Sequence, residues 1–202
     1  MCGRYAVTAG LCEQLEIDFD FPLGTVEDAR IIFDAVELGW HNADDVILPD
    51  GWSFVGSGGT RRVYRSPSGV VYKVEYSYGD GELSWNEMEY ENFRRIKQEG
   101  NLPGDWRVPR SYLHTFRANI AKWEYPSRKK VESEVSVGIL ACEYIKGRPV
   151  GGWCLPDPQQ KEKEEATVVF SKIGLNDLGG QNVILTDEGN YYIIDAAERM
   201  ED

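Results

Sequence analysis

Residues 175–198 read LNDLGGQNVILTDEGNYYIIDAAE. Two short β-type runs, NVILT (182–186) and YYIID (191–195), flank the turn residues DEGN, which is a hairpin pattern. Asp177, Asn182 and Asp195 are spread along this unit. A solvated hairpin would leave the three side chains with nothing in common. A phosphotransfer centre would use all three, two as oxygen ligands to a divalent ion and one to accept a proton.

The residues upstream bear on that choice. VGSGGTRRV (55–63) places Gly56, Ser57, Gly58 and Gly59 between two strand-like runs, where a backbone free of side chains can approach phosphate. Lys73 stands in the middle of the apolar run VVYKVEY (70–76), and a lysine buried there needs a partner. At a sheet edge it would instead snorkel to water. The next segment, SWNEMEYENFRRIKQEG (84–100), is predicted to be a helix, with Ser84 and Glu87 at capping-box spacing and Gly100 as its stop. On that helix Glu89 shares a face with Phe93 and Ile96, which makes it the expected partner of Lys73. Glu87 and Glu91 are the competing choices, with side chains directed elsewhere. Phosphoryl transfer from ATP needs these parts: a flexible backbone over the phosphates, a cation, an Asn and an Asp for magnesium, and an Asp for the substrate hydroxyl.

With its residues in this order, the chain resembles the protein-kinase-like fold over roughly residues 51–198. The likeness is to the compact bacterial and phage-encoded branch related to aminoglycoside and choline kinases. Those proteins often carry DLHPGN where this chain has DLGGQN (177–182), and GILACEYIKGRP (138–149) resembles their fifth strand and hinge. The resemblance implies ATP and magnesium as cofactors. Lys73 would hold the α- and β-phosphates beneath the loop Gly56, Ser57, Gly58 and Gly59, with Val63 in register with the family's valine. Glu89 would position Lys73, and Asp177 would be the catalytic base. Asn182 and Asp195 would be the magnesium ligands. The backbone of Glu143–Ile145 would meet the adenine, with Cys142 near the gatekeeper position. The implied fold is α+β: an antiparallel sheet plus one helix as N-lobe and hinge over residues 51–147, and a truncated C-lobe over 148–202. An acidic helical extension over 1–50 precedes them.

The chain departs from the family in several places. Arg61 replaces the third glycine of the loop, where it would either reach a phosphate or block one. Leu175 and Asn176 precede Asp177, and Ala196 and Ala197 stand where Phe-Gly follows the metal-binding Asp. With only seven residues after Asp195, an activation segment and a peptide platform are expected to be missing. The expected function is that of a minimal kinase-like protein, binding Mg·ATP and transferring the γ-phosphate to a protein or small hydroxyl acceptor. The alternative is a pseudokinase-type binding protein that modulates a host or partner protein through its acidic segment. Two copies completing each other's C-lobes would form a homodimer.

Composition sets the outer bounds. The chain has 202 residues, of which 42% are apolar and 12% aromatic, enough for a real core. Its net charge of −12 argues against a basic nucleic-acid surface. Eleven acidic residues stand in the first fifty positions against Arg4 and Arg30 alone. There TVEDARIIFDAVELGW (25–40) is predicted to be a helix capped by Thr25, with Ala29, Ile32 or Phe33, Val36 and Trp40 as its apolar stripe, opened by Val26. Cys2, Cys12, Cys142 and Cys154 show no metal-ligand spacing, so reduced thiols are expected. The opening MCGRYAV resembles the N-terminus of a family of DNA-repair proteins that crosslink abasic sites, but that family's histidine motif has no counterpart around His41 or His114. No secretory leader and no membrane-length apolar run are read, so a cytoplasmic protein is expected.

Overall fold

The computed structural model describes residues 22–38, 46–75, 84–100, 102–124, 129–150, 157–175 and 182–197. Asp177, Trp40, His41, Cys2, Cys12 and Cys154 lie outside the described residues. Within them the fold is α+β, with three helices and two sheets.

Helix α1 (Val26–Leu38) begins where the sequence predicts: the Thr25 hydroxyl accepts the Asp28 amide at 3.0 Å, and Glu27 and Asp28 occupy the first turn. Ala29, Ile32, Phe33 and Val36 are buried, while Val26, expected on the same stripe, is 40% exposed at the helix start. The stripe covers one face of a five-stranded antiparallel sheet. That sheet contains β1 (Ser53–Ser57), β2 (Arg61–Arg65), β3 (Val71–Glu75), β5 (Ser111–Glu124) and β6 (Lys129–Cys142), in the order β1-β2-β3-β6-β5. Tyr64, Tyr72, Val74, Phe116, Ile120, Val137, Ile139 and Ala141 meet α1 there. Phe33 packs edge-on to Phe116 with centroids 5.5 Å apart. The approach to α1 is tied down by polar contacts. The Thr25 amide donates to the Tyr72 hydroxyl at 3.2 Å, Tyr72 donates to Asp28, and His114 Nε2 meets the Leu23 carbonyl at 2.8 Å.

Helix α2 (Trp85–Glu99) covers the opposite face. Its capping box is complete, since Ser84 accepts the Glu87 amide and the Glu87 carboxylate accepts the Ser84 amide. Gly100 ends it in the left-handed conformation at φ 63. The buried residues Asn86, Glu89, Phe93 and Ile96 follow helical spacing. Because both faces are covered, all five residues of β3 are buried.

The paired strands β5 and β6 are fourteen residues each, in register from Ser111↔Cys142 to Glu124↔Lys129. The charged stretch SRKKVESE (127–134), which has no strand pattern of its own, is therefore strand from Lys129 onward. Pairing with β5 satisfies its backbone, and its polar side chains alternate toward water, as Glu132, Glu134 and Ser136 do. Beyond it, β7 (Arg148–Pro149), β8 (Val183–Leu185) and β9 (Tyr191–Ile193) form a smaller sheet with β4 (Trp106–Arg107), in the order β4-β9-β8-β7. The hairpin β8–β9 turns at Gly189, whose φ of 85 suits glycine. Strand β4 joins β9 in parallel, a pairing with no local sequence signal. Trp106 stacks on Tyr191 at 4.9 Å and meets Phe170 edge-on. Phe170 belongs to α3 (Asp157–Lys172), whose second half buries Ala166 and Val169 as well. At Gly147 an added Cβ would collide with the Leu185 carbonyl and Ile184, so the backbone leading into β7 passes β8 only as glycine. Among the described residues no helix is long and apolar enough to cross a membrane.

Candidate functional site

A cavity of about 270 Å3 opens between the two sheets. Gly56, Ser57, Gly58 and Val63 border it from β1 and β2, and Val71 and Lys73 from β3. Glu143, Tyr144 and Ile145, in the segment between β6 and β7, form another wall. Asn182, Ile184, Ile194 and Asp195 complete it from the hairpin. Most of the expected nucleotide and metal residues thus share one cleft. Gly59 does not border it, and Asp177 lies outside the described residues. Val55, Val71, Ile184 and Ile194, which the sequence reading did not single out, supply apolar walls suited to a flat ring system.

The glycines of the β1–β2 connection are not demanded by the fold. None of Gly56, Gly58 and Gly59 has a positive φ, and a Cβ on any of them would meet nothing within 4 Å. What their composition provides is bare backbone beside the cleft, held by the Gly58 amide donating to the Arg61 carbonyl at 2.9 Å.

Lys73 and Glu89 meet as expected, Nζ to Oε1 at 2.7 Å, with Glu89 fully buried. Glu87 is consumed by the helix cap, and Glu91 pairs on the surface with Arg94, so neither competes. Glu89 is shared, however. Its other oxygen accepts Arg61 Nη1, and Arg61 Nη2 reaches Asp195 Oδ1 at 2.6 Å. The guanidinium does not border the cavity; it is buried and ties α2 to the segment after β9.

Asp195 was expected at the end of a strand. Strand β9 stops at Ile193, and residues 194–197 run on as an extended segment clamped from several sides. Lys73 Nζ donates to the Ile194 carbonyl, and the Ala196 amide to Glu89 Oε1 at 3.4 Å. Asn92 Nδ2 donates to the Ala196 carbonyl at 2.6 Å, and the Ala197 amide to Asp195 Oδ1 at 3.2 Å. Partial burial pushes the Asp195 carboxyl up, but Lys73 and Arg61 outweigh it and hold the group below the usual aspartate value. For Arg61 burial works against the charged form, and Glu89 and Asp195 overcome it, so the guanidinium stays protonated.

Two further buried polar residues set this geometry. Asn86 Nδ2 donates to the carbonyls of Lys73 and Gly138, both at 2.8 Å, and so clips the start of α2 to β3 and β6. Its amide donates to Glu75 at 2.6 Å, a buried carboxylate at the helix N-terminus whose pKa is raised by burial. The sequence reading missed both. The signal for Asn86 was present, since it stands three residues before Glu89 on the same helical face. Cys142 is buried in the core and does not border the cavity; burial pushes its thiol up to about 12, so it is not a ready nucleophile.

For a metal, Asn182 and Asp195 are hard oxygen donors on the same cleft, a set that suits magnesium when phosphates supply further oxygens. Among the described residues no cluster of three or more His, Cys, Asp or Glu side chains is placed to hold an ion by itself. In comparisons with known proteins, no family model matches the chain and no curated protein sequence matches it.

Proposed function

We propose that this chain is a protein-kinase-like nucleotide-binding protein whose cleft takes Mg·ATP. The observation that carries the reading is the Lys73–Glu89 ion pair at 2.7 Å on a cleft that also presents bare glycine backbone, Asn182 and Asp195. In support, a five-stranded antiparallel sheet, with α2 on the face that carries Lys73 and α1 on the other, leads through Glu143–Ile145 into a smaller sheet carrying the hairpin. That is the order expected of an N-lobe, a hinge and a reduced C-lobe. Lys73 would meet the α- and β-phosphates, and Gly56, Ser57 and Gly58 would cover them. The apolar walls and the backbone of Glu143–Ile145 would take the base. Asn182 and Asp195 would hold magnesium, which would neutralise phosphate charge when bound.

Calorimetric titration with Mg·ATP tests this. Saturable binding that Lys73→Ala weakens about tenfold or more is expected. A folded wild-type protein that binds no nucleotide would sink the reading. Phosphotransfer is the extension of it, with Asp177 as base: Asp177→Asn is expected to abolish turnover and to spare ATP binding, and retained turnover would remove that role.

The Arg61–Asp195 bridge favours a second reading, in which the nucleotide-bound form is a binding protein and not a catalyst. Its acidic N-terminal segment would then be the contact. Because α1 buries one face of the sheet, the informative deletion stops at residue 21. Partner binding that survives loss of residues 1–21 would exclude that part of the acidic segment as the contact.

A further inference from the structure

We propose that Arg61, buried behind Asp195 and bridged to it, is the resident cation beside the cleft, so that a nucleoside triphosphate binds even without the magnesium that Asn182 and Asp195 would hold. The inference rests on the nucleotide reading above and concerns what neutralises the site. Lys73, Glu89, Arg61 and Asp195 form a linked row of two cations and two carboxylates. Asp195 borders the cavity and its side chain is 42% exposed, whereas the Arg61 side chain is 5% exposed and lies behind it.

Without the guanidinium, the cleft would present net negative charge to an incoming polyphosphate. In a partly desolvated site that repulsion is several times stronger than in water. Metal-dependent sites remove such charge with a bound ion. Here the compensating charge is attached to β2 and is held by Glu89, by Asp195 Oδ1 at 2.6 Å, and more weakly by Asn86 Oδ1 at 3.4 Å. An ion approaching Asp195 would face a fixed cation beside it, so magnesium adds little to nucleotide affinity.

ATP binding measured by calorimetry in magnesium and in excess EDTA tests this, using wild type, Arg61→Gln, Asp195→Asn and the double variant, each shown to unfold cooperatively. Wild-type affinity in EDTA is expected within about threefold of that in magnesium. Arg61→Gln is expected to bind about tenfold or more weakly in EDTA than in magnesium. The double variant lacks the carboxylate that needed compensation and regains metal-free binding, a rescue that damage to the fold would not produce. Wild type that binds only with magnesium, or a double variant that stays metal-dependent, overturns the role of Arg61 and leaves the nucleotide reading standing. Wild type that binds under neither condition overturns both. Should Arg61→Gln fail to fold, Asp195→Asn decides alone. With the Asp195 charge removed and Arg61 retained, its metal-free binding should tighten about tenfold, and unchanged or weaker binding rejects the proposal.

Discussion

The two faces of the five-stranded sheet are built on different principles. The face under α1 is mainly apolar, with Ile32, Phe33 and Val36 against Tyr64, Val74, Phe116 and Ile139, although Arg62, in register with Val74, is buried on it as well. The face under α2 buries Arg61, Lys73, Glu75, Asn86 and Glu89 among Val71, Phe93 and Ile96. Apolar burial stabilises a domain by roughly 25 cal/mol per Å2. Burying charges has no comparable return, because desolvation cancels much of the pairing. A chain that needed only stability would make both faces like the first. The second holds charges at fixed positions beside a cleft, which the proposed nucleotide site would require.

That contrast can be broken first at Glu89. Glu89→Gln leaves Arg61 and Lys73 short of their shared carboxylate, and a loss of about 3–5 kcal/mol is expected in urea unfolding, together with loss of nucleotide binding. Ile32→Ala on the other face should lower stability by about 2–4 kcal/mol through cavity formation and leave nucleotide affinity unchanged. If Ile32→Ala altered affinity as strongly as Glu89→Gln, the two faces would not be functionally distinct.

The junction between the sheets is the next point of attack. Gly147→Ala forces the β7 approach away from β8 and should destabilise by about 1–3 kcal/mol. It is also expected to weaken nucleotide binding, since Glu143–Ile145 lead directly into it. Full affinity in a folded Gly147→Ala protein would detach that segment from the ligand.

The smallest effect concerns pH at the rim of the apolar face. Burial holds the His114 ring below the ordinary histidine value, with the Leu23 carbonyl and Asp28 offsetting it in part. The unfolded chain therefore takes up the proton first, so this contribution to stability is present near neutrality and falls as pH drops below about 6.5. Urea midpoints at about pH 7.5 and about pH 5.5 should show the decline, and His114→Gln should flatten it. An equal decline in His114→Gln would place the sensitivity elsewhere.

Much of this arrangement was legible locally. Thr25 and Ser84 announced their helices, Gly100 closed one of them, and Glu89 was assigned to Lys73 because helical spacing put it on the face of Phe93 and Ile96. The strands were less so: the charged start of β6 reads as a connection until its partner strand is known. β4, two residues long, has no pattern of its own and exists because β9 offers it an edge.

By itself the sequence determined the caps, the turns and the apolar face of α1. These depend on hydrogen bonds and periodicities that close within a few residues. Only the tertiary structure decided that Arg61 meets Asp195, 134 residues away, and that Glu89 is divided between two cations. A buried charge carries no mark of which partner will neutralise it. The choice is made by which backbone segments the packed cores bring within hydrogen-bond reach.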